Sequence, residues 1–225
     1  MIIIAGASRG IGKDVADFFH KKNKKVIGLS RTKIQCSFDS LLCDVGDYLS
    51  VKKTANKIKN MKEPIEAFIN TAGVASMNMA VTTDEATVRK LININLIGTI
   101  YCCQLFAPIM IRYKKGSFVN FSTIAVPLAL KGESIYIASK AGVEAFSRTF
   151  AREMSDFNIR VNCIAPGPIK TDLLKGITDN QIKEILSSQL IRKQFQKSDI
   201  CNIIDLLLDK RSNSITGHVF NIGGV

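Results

Sequence analysis

Short runs of apolar residues recur along the chain, and each run is bounded by glycine, proline or polar residues. Apolar runs of about 4 to 8 residues are typical of strands that are buried on both faces of a parallel sheet. The first run, Ile2–Ala5, follows directly after Met1. The pattern predicts strands at Ile2–Ala5, Lys25–Leu29, Leu41–Val45, Ile65–Asn70, Gly116–Phe121, Arg160–Ile164 and His218–Ile222.

Longer segments with apolar residues at helical spacing separate these strands. A helix is predicted after Gly12, with Val15, Phe18 and Phe19 on one side. Strands that alternate with helices predict an α/β fold, here a Rossmann-like, doubly wound parallel sheet of about seven strands with helices on both faces. We found no linker, repeat or low-complexity segment, so residues 1–225 are predicted to form one domain. The other predicted helices are Asp47–Asn60, Asp84–Arg112, Ser134–Asp156 and Ser198–Leu208, with short helical segments up to Gln196.

A glycine-rich turn follows the first strand directly. The segment Gly6-Ala7-Ser8-Arg9-Gly10-Ile11-Gly12 leads into the first helix. A strand, a glycine turn and a helix in this order present free backbone N–H groups and the positive end of a helix dipole to a phosphate. The spacing differs from the common Gly-x-Gly-x-x-Gly fingerprint. The segment predicts a dinucleotide-binding turn, and an ordinary tight turn is the alternative.

The end of the second strand bears on the choice of cofactor. Sites specific for NAD usually place an acidic residue here to bind the adenosine ribose. This chain has Ser30 followed by Arg31, and Arg9 lies in the glycine turn. Two guanidinium groups without a carboxylate favour a 2′-phosphate and therefore NADP. The alternative is that both arginines are simply solvated.

A phenol and an ammonium group are predicted to lie side by side at the start of the Ser134 helix. Tyr136 and Lys140 are four residues apart, so they share one helix face. They follow a strand that ends in Ser122 and Thr123. The nearby ammonium is expected to lower the pKa of the tyrosine and to make it a better general acid or base. Tyr48 and Lys52 have the same spacing but are expected to be an ordinary surface pair.

Composition limits the possible partners and compartments. The chain has 31 basic and 19 acidic residues, a formal net charge of +12. An acidic protein partner, a phosphorylated cofactor or a merely lysine-rich surface can each explain this excess. The basic residues form no stripe interleaved with aromatic residues, so nucleic-acid binding is not expected.

The cysteines and the apolar runs indicate a soluble intracellular protein. Most of the six cysteines lie in apolar runs, none forms a Cys-x-x-Cys pair, and there are only two histidines, so neither disulfides nor a metal site are expected. A reducing cytoplasm is the expected location. No signal peptide or membrane-spanning run is evident.

The motifs together resemble those of the classical short-chain dehydrogenase/reductase family over essentially the whole chain. They are Ala-Gly-Ala-Ser-Arg-Gly-Ile-Gly at 5–12, Asp44-Val45, Asn-Thr-Ala-Gly at 70–73, Asn95 in Ile-Asn-Leu, the Tyr136–Lys140 pair, and Pro-Gly-Pro-Ile-Lys-Thr at 166–171. The resemblance implies that NADPH delivers hydride while Tyr136 donates a proton to a substrate carbonyl. It implies that Lys140 holds the nicotinamide ribose and that Asn95 anchors a water in the proton relay.

The resemblance also implies a set of cofactor contacts. Asp44 would contact adenine, residues 70–73 would lie along the cofactor, and residues 166–171 would contact its nicotinamide end. The full set is Gly6, Ser8, Arg9, Gly10, Ile11, Gly12, Arg31, Asp44, Val45, Asn70, Ala72, Gly73, Tyr136, Lys140, Pro166, Gly167, Ile169 and Thr171.

One position departs from the family pattern. The family usually has a serine thirteen residues before the tyrosine, where its hydroxyl hydrogen-bonds the carbonyl. That position is Thr123 in this chain, and Ser122 precedes it. Threonine keeps the hydroxyl but adds a methyl group that restricts χ1. We assign the role to Thr123, with Ser122 as the alternative.

The segment from Thr171 to Leu186 resembles that of 3-oxoacyl-[acyl-carrier-protein] reductases, enzymes of fatty acid biosynthesis. That resemblance implies an acidic acyl carrier protein as partner, received by basic residues near the site, here Lys114 and Lys175. A reductase of a free ketone, a sugar or a sugar derivative is one alternative, and a non-catalytic NADP-binding regulatory protein is another. Family members pair through the helices that begin at Asp84 and Ser134, so a homodimer or homotetramer is expected.

Overall fold

A computed structural model of the chain describes residues 1–169 and 178–225. Seven parallel strands form one sheet in the order β3-β2-β1-β4-β5-β6-β7. The order reverses direction at β1, which confirms the predicted doubly wound arrangement. The strands are β1 (Ile2–Ala5), β2 (Val26–Ser30), β3 (Asp39–Leu42), β4 (Ala67–Asn70), β5 (Gly116–Phe121), β6 (Ile159–Ala165) and β7 (Val219–Asn221).

The helices lie between successive strands, as the alternating pattern predicts, except between β2 and β3, where residues 31–38 form no helix. The α-helices are α1 (Gly10–Lys21), α2 (Tyr48–Asn60), α3 (Glu85–Leu91), α4 (Gly98–Tyr113), α5 (Ala125–Leu128), α6 (Ser134–Ser155), α7 (Asp179–Ser187) and α8 (Lys197–Leu208). Shorter helical turns occur at Ala80–Thr82 and Lys210–Ser212, and a π-helical turn covers Ile92–Ile97.

Alternate side chains along the buried strands point into two cores, one on each face of the sheet. Ile3 and Phe68 pack on one face with residues of α2, α4 and α6. Ile2 and Ile4 pack on the other face with residues of α1 and α8. Because both faces are covered, the central strands are apolar at every position, which is why the sequence shows continuous runs.

The third strand ends earlier than predicted. It covers Asp39–Leu42, whereas Leu41–Val45 was expected. The N–H of Asp44 donates to the Ser50 hydroxyl, and its carboxylate accepts from the N–H of Gly46. These bonds turn the chain toward α2, so Asp44 and Val45 lie in the loop that follows the strand. The segment between β5 and α6 contains the short helix α5.

The predicted long helix from Asp84 is interrupted by the π-helical turn. Together with this turn, the helical residues Glu85–Tyr113 are long and apolar enough to cross a membrane by length and composition alone. Half of their most apolar stretch is nevertheless buried inside the protein. Phe106, on this segment, contacts Phe68 of β4 with ring centroids 4.6 Å apart. Its apolar character is therefore explained by packing against the sheet.

Candidate active site

The carboxyl ends of the central strands meet at one edge of the sheet. In open parallel sheets, ligands bind outside these ends, at the point where the strand order reverses. Here that point lies between β1 and β4, and two cavities open along the same edge. One is a groove of about 360 Å³ over the glycine turn. The other is a cavity of about 130 Å³ at the end of β5, and residues Thr71–Ala75, apart from Ala72, line both.

The glycine turn is shaped so that a ligand can approach its backbone. Gly6 and Gly10 have φ angles of +83° and +60°, which residues other than glycine rarely adopt. A Cβ atom at Gly12 would meet the carbonyl of Gly6 and the hydroxyl of Thr71. Helix α1 begins at Gly10, so its N-terminus faces the groove that Ser8, Arg9, Gly10 and Ile11 line. This geometry suits a phosphate.

The far end of the groove is formed by the ends of β2 and β3. Ser30, Arg31, Asp44 and Val45 line it. The Ser30 hydroxyl donates to the carbonyl of Thr32 at 2.6 Å. Among the described residues that line the groove, Asp44 supplies the one carboxylate, and cationic side chains come from Arg9, Arg31 and Lys90. Cations therefore outnumber carboxylates in this groove, which suits the phosphate groups of a dinucleotide.

Two buried asparagines hold the segment that borders both cavities. Asn70 donates from Nδ2 to the Thr99 hydroxyl at 2.9 Å, and its Oδ1 accepts from the N–H of Ala72. Asn95 is fully buried in the π-helical turn. Its side chain accepts from the N–H of Val74 and donates to the carbonyl of the same residue, each at 2.9 Å. Both amides thus brace the backbone of 70–74.

The smaller cavity gathers the polar residues predicted for catalysis. Thr123, Tyr136 and Lys140 line it, together with Pro166, Gly167 and Ile169. Lys140 donates from Nζ to the carbonyl of Phe121 at 2.8 Å. Asn95 does not line this cavity but donates from Nδ2 to the Ser139 hydroxyl at 3.0 Å, which ties the π-helical turn to the helix that carries Tyr136.

The whole chain is similar to known proteins. A family model described as enoyl-(acyl carrier protein) reductase matches residues 6–224. Carbonyl reductase family member 4 of Xenopus laevis is 33% identical over 230 residues, which cover 98% of this chain and 95% of that protein. The chain belongs to the short-chain dehydrogenase/reductase family. It is therefore an oxidoreductase of a family that uses NAD(P) cofactors.

Other members of the short-chain dehydrogenase/reductase family are nearly as similar. The 3-oxoacyl-[acyl-carrier-protein] reductase FabG of Chlamydia pneumoniae is 28% identical, over 99% of this chain and 95% of that protein. The solved structure of Thermoplasma acidophilum aldohexose dehydrogenase superposes with a TM-score of 0.89 at 26% identity, and covers 99% of this chain and 92% of that one. The family resemblance drawn from the motifs is confirmed.

The expectation that Lys140 lowers the pKa of Tyr136 is wrong for this structure. Burial, and secondly the charge of Glu133, raise the pKa of Tyr136 above its ordinary value of 10.0, although a hydrogen bond with Thr123 acts in the opposite direction. Burial also lowers the pKa of Lys140 from 10.5 to about 8. Removing both groups from water favours their neutral forms, which raises the pKa of the phenol and lowers that of the ammonium.

The two candidate hydroxyls at the end of β5 have different surroundings. Ser122 is buried and donates to a carboxylate oxygen of Glu144 at 2.5 Å. Glu144 in turn accepts from Arg148 at 3.1 Å. The Thr123 hydroxyl accepts from the N–H of Ala125 at 3.2 Å and hydrogen-bonds Tyr136. Ser122 and Thr123 both line the smaller cavity, but of the two only the Thr123 hydroxyl bonds the phenol there. The geometry favours Thr123 over Ser122.

Other residues singled out in the sequence lie elsewhere. Thr171 and Lys175 fall outside the described residues. Lys114 is exposed at the end of α4, directly before β5, and so lies about 20 Å, a strand length, from the edge that carries Tyr136. The expectation that Lys114 stands near the site is therefore wrong within one chain, because a helix that precedes a parallel strand ends at the strand's amino end. The ammonium of Lys52 lies 6.0 Å from the ring centre of Tyr48, on the surface as expected.

Sequence reasoning missed two carboxylates that lie close in sequence to Tyr136 and Lys140. Glu133 precedes Tyr136 by three residues, and Glu144 follows Lys140 by four. The second spacing places Glu144 on the same helix face as Lys140, and this signal was available in the sequence. Glu133 lies directly before the first residue of α6. The sequence did not show that both carboxylates are buried. No cluster of three or more His, Cys, Asp or Glu side chains suited to a metal occurs among residues 1–169 and 178–225.

Proposed function

We propose that the protein is an NADPH-dependent reductase that transfers hydride to the ketone of a 3-oxoacyl thioester and gives the 3-hydroxy product. The observation that carries this proposal is the convergence of a phenol, an ammonium group and a hydroxyl in one cavity that shares a wall with the glycine-turn groove. Tyr136, Lys140 and Thr123 supply these groups. Binding of a dinucleotide alone would not require all three.

In this proposal Tyr136 is the proton donor. Its raised pKa keeps the phenol protonated at neutral pH, so the proton is available when negative charge develops on the carbonyl oxygen. Thr123 lines the same cavity, and its hydroxyl provides a second hydrogen bond to that oxygen. The bound NADPH supplies the hydride.

Lys140 provides positive charge in the cavity that the Tyr136 phenol also lines. Its hydrogen bond to the carbonyl of Phe121 fixes the ammonium against the end of β5. Because its pKa is about 8, the amine is mostly protonated at neutral pH and stabilises the phenolate that forms after proton transfer. Asn95 keeps the neighbouring segment at Val74 in place through two hydrogen bonds.

The preference for NADP rests on Arg9 and Arg31. Both line the groove, and Ser30 stands at the end of β2, where a carboxylate would bind the ribose of NAD. An Arg31→Asp variant is expected to lower kcat/KM with NADPH by about 10- to 100-fold, which corresponds to 1.4–2.8 kcal/mol of lost phosphate binding. The kcat/KM with NADH should change little. If the ratio of kcat/KM with NADPH to kcat/KM with NADH is the same in the variant as in the wild type, the preference for NADP is refuted.

The choice of a 3-oxoacyl thioester is supported by the family match and by the similarity to 3-oxoacyl-[acyl-carrier-protein] reductase FabG. The net charge of +12 suits an acidic carrier protein as the form in which the thioester is presented. With a carrier-bound substrate, kcat/KM should fall steeply as ionic strength rises, because steered association is screened by salt. A flat salt profile would count against the carrier partner.

The direct test is oxidation of NADPH in the presence of a 3-oxobutanoyl thioester. The wild-type protein should turn over, and Tyr136→Phe should lose about 100-fold or more of kcat because it lacks the donated proton. Tyr48→Phe is the matched control, since Tyr48 has the same spacing to a lysine but lies on the surface. Equal losses in the two variants, or no turnover of any carbonyl compound, would refute the proposal.

A second candidate is reduction of a free ketone or a sugar. Carbonyl reductase family member 4 and aldohexose dehydrogenase carry such names among similar proteins. The small cavity, of about 130 Å³, also suits a compact substrate. Comparing kcat/KM for the thioester with that for small ketones and aldoses separates the two candidates.

A further inference from the structure

Glu133 is a buried carboxylic acid in the wall of the smaller cavity. It occupies the position before the first residue of α6, and 8% of the residue is exposed. A carboxylate at this position often caps a helix by accepting from its first N–H groups. The Glu133 side chain makes no such bond. It lines the cavity instead, three residues before Tyr136 in the sequence.

The carboxyl group has no hydrogen-bond donor among residues 1–169 and 178–225. Burial alone accounts for its pKa, which is raised above the ordinary 4.5, and neither a hydrogen bond nor a neighbouring cation offsets the effect. A largely buried carboxylate without a donor destabilises a folded protein. The Glu133 oxygens are not among the fully enclosed unpaired polar atoms of the described residues, so they remain open to the cavity. The group is therefore positioned for a donor that arrives from the cavity.

The surroundings limit which donor fits. Ile124, Leu130 and Ile185 provide apolar walls, which suit a small carbon skeleton. The Lys140 ammonium lines the same cavity and disfavours a second cation. A neutral hydroxyl group satisfies the carboxylate without this repulsion. Glu133 and Tyr136 line one cavity of about 130 Å³, so the hydroxyl and the carbonyl belong to one small molecule.

We propose that Glu133 is a specificity-determining residue that accepts a hydrogen bond from a hydroxyl group of the carbonyl substrate, so that the site prefers hydroxy ketones and hydroxy aldehydes to carbonyl compounds that lack this hydroxyl. The proposal rests on the assignment of the cavity as a reductase site. A 3-oxoacyl thioester presents only acceptor oxygens near its ketone, and so does not use Glu133 in this way. The charge of Glu133 also opposes phenolate formation at Tyr136, and a hydroxyl donor reduces that opposition.

The test compares ketones that differ by one exchange of methyl for hydroxyl. Hydroxyacetone is paired with butanone, and 4-hydroxy-2-butanone with 2-pentanone. The wild-type protein should prefer the hydroxylated member by about tenfold or more in kcat/KM, since a site built to hydrogen-bond a hydroxyl discriminates strongly against its absence. In Glu133→Leu the ratio should fall to about one. Glu133→Gln, which keeps an acceptor oxygen, should retain much of the preference.

The two proposals can fail separately. Turnover of both members of each pair with a wild-type ratio near one, or a ratio unchanged in Glu133→Leu, would overturn the role of Glu133 and leave the reductase function standing. If no carbonyl compound is reduced, the reductase function fails. Saturation-transfer NMR on the same pairs then decides the role of Glu133. Stronger contact with the hydroxylated member, lost in Glu133→Leu, supports the role, and equal contact overturns it.

Discussion

Substitutions of the two adjacent hydroxyl residues at the end of β5 should have different effects. Ser122→Ala should lower stability, and Thr123→Val should lower the catalytic rate. Ser122→Ala removes a donor to the buried Glu144 carboxylate, with which Ser122 forms a 2.5 Å hydrogen bond. Hydrogen bonds to charged groups contribute about 1.5–3 kcal/mol, so the free energy of unfolding should fall by about that amount. Arg148 still pairs with Glu144, which keeps the loss near the lower end.

Thr123→Val should lower kcat strongly and the free energy of unfolding only slightly. The Thr123 hydroxyl bonds neutral partners, the Ala125 N–H and the Tyr136 phenol, so each lost bond should lower the free energy of unfolding by only about 0.5–1.5 kcal/mol. If its proton stabilises the developing oxyanion, kcat should fall by about 100- to 1,000-fold. Urea denaturation measures the first quantity, and NADPH oxidation with the 3-oxobutanoyl thioester measures the second.

A double-mutant cycle tests the cause of the stability loss. In a Glu144→Leu background, Ser122→Ala should cost much less than in the wild type, because the buried carboxylate that needed the donor is gone. The reasoning is refuted if Ser122→Ala abolishes turnover at unchanged stability while Thr123→Val keeps its kcat. That result would assign the catalytic hydroxyl to Ser122.

Three further outcomes are expected. Because burial lowers the pKa of Lys140 from 10.5 to about 8, the unfolded chain binds more protons than the folded protein between these values, and the contribution of Lys140 to the free energy of unfolding rises with pH across that window. Lys140→Met should lack this rise in urea denaturation at pH 8 and pH 10, and parallel pH profiles would contradict it. Gly12→Ala should weaken NADPH binding by about tenfold or more, or about 1.4 kcal/mol, because its Cβ would meet the carbonyl of Gly6; fluorescence titration checks this, and undiminished affinity would contradict it. Phe68→Ala should lower the free energy of unfolding by about 3–5 kcal/mol, since the ring is fully buried between Phe106 and Phe118; a loss under 1 kcal/mol in urea would show that the core is loosely packed.

Much of the fold follows from local patterns in the sequence. The buried strands were predictable because a strand covered on both faces needs apolar residues at every position, as in Ile2–Ala5. The glycine turn was predictable because only glycine tolerates the backbone angles and close approach found at Gly6 and Gly12. The shared face of Tyr136 and Lys140 follows from helix geometry alone.

Tertiary contacts decided the hydrogen-bond partners and the protonation of the groups in the site. Whether Ser122 or Thr123 faces the substrate depends on Glu144, which is 22 residues from Ser122 in sequence. The direction of the Tyr136 pKa depends on burial, to which strands and loops distant in the chain contribute. Spacing along a helix therefore determined which groups can meet, but desolvation and hydrogen bonding between distant segments determined their charge and their partners, because both depend on what surrounds a group in space.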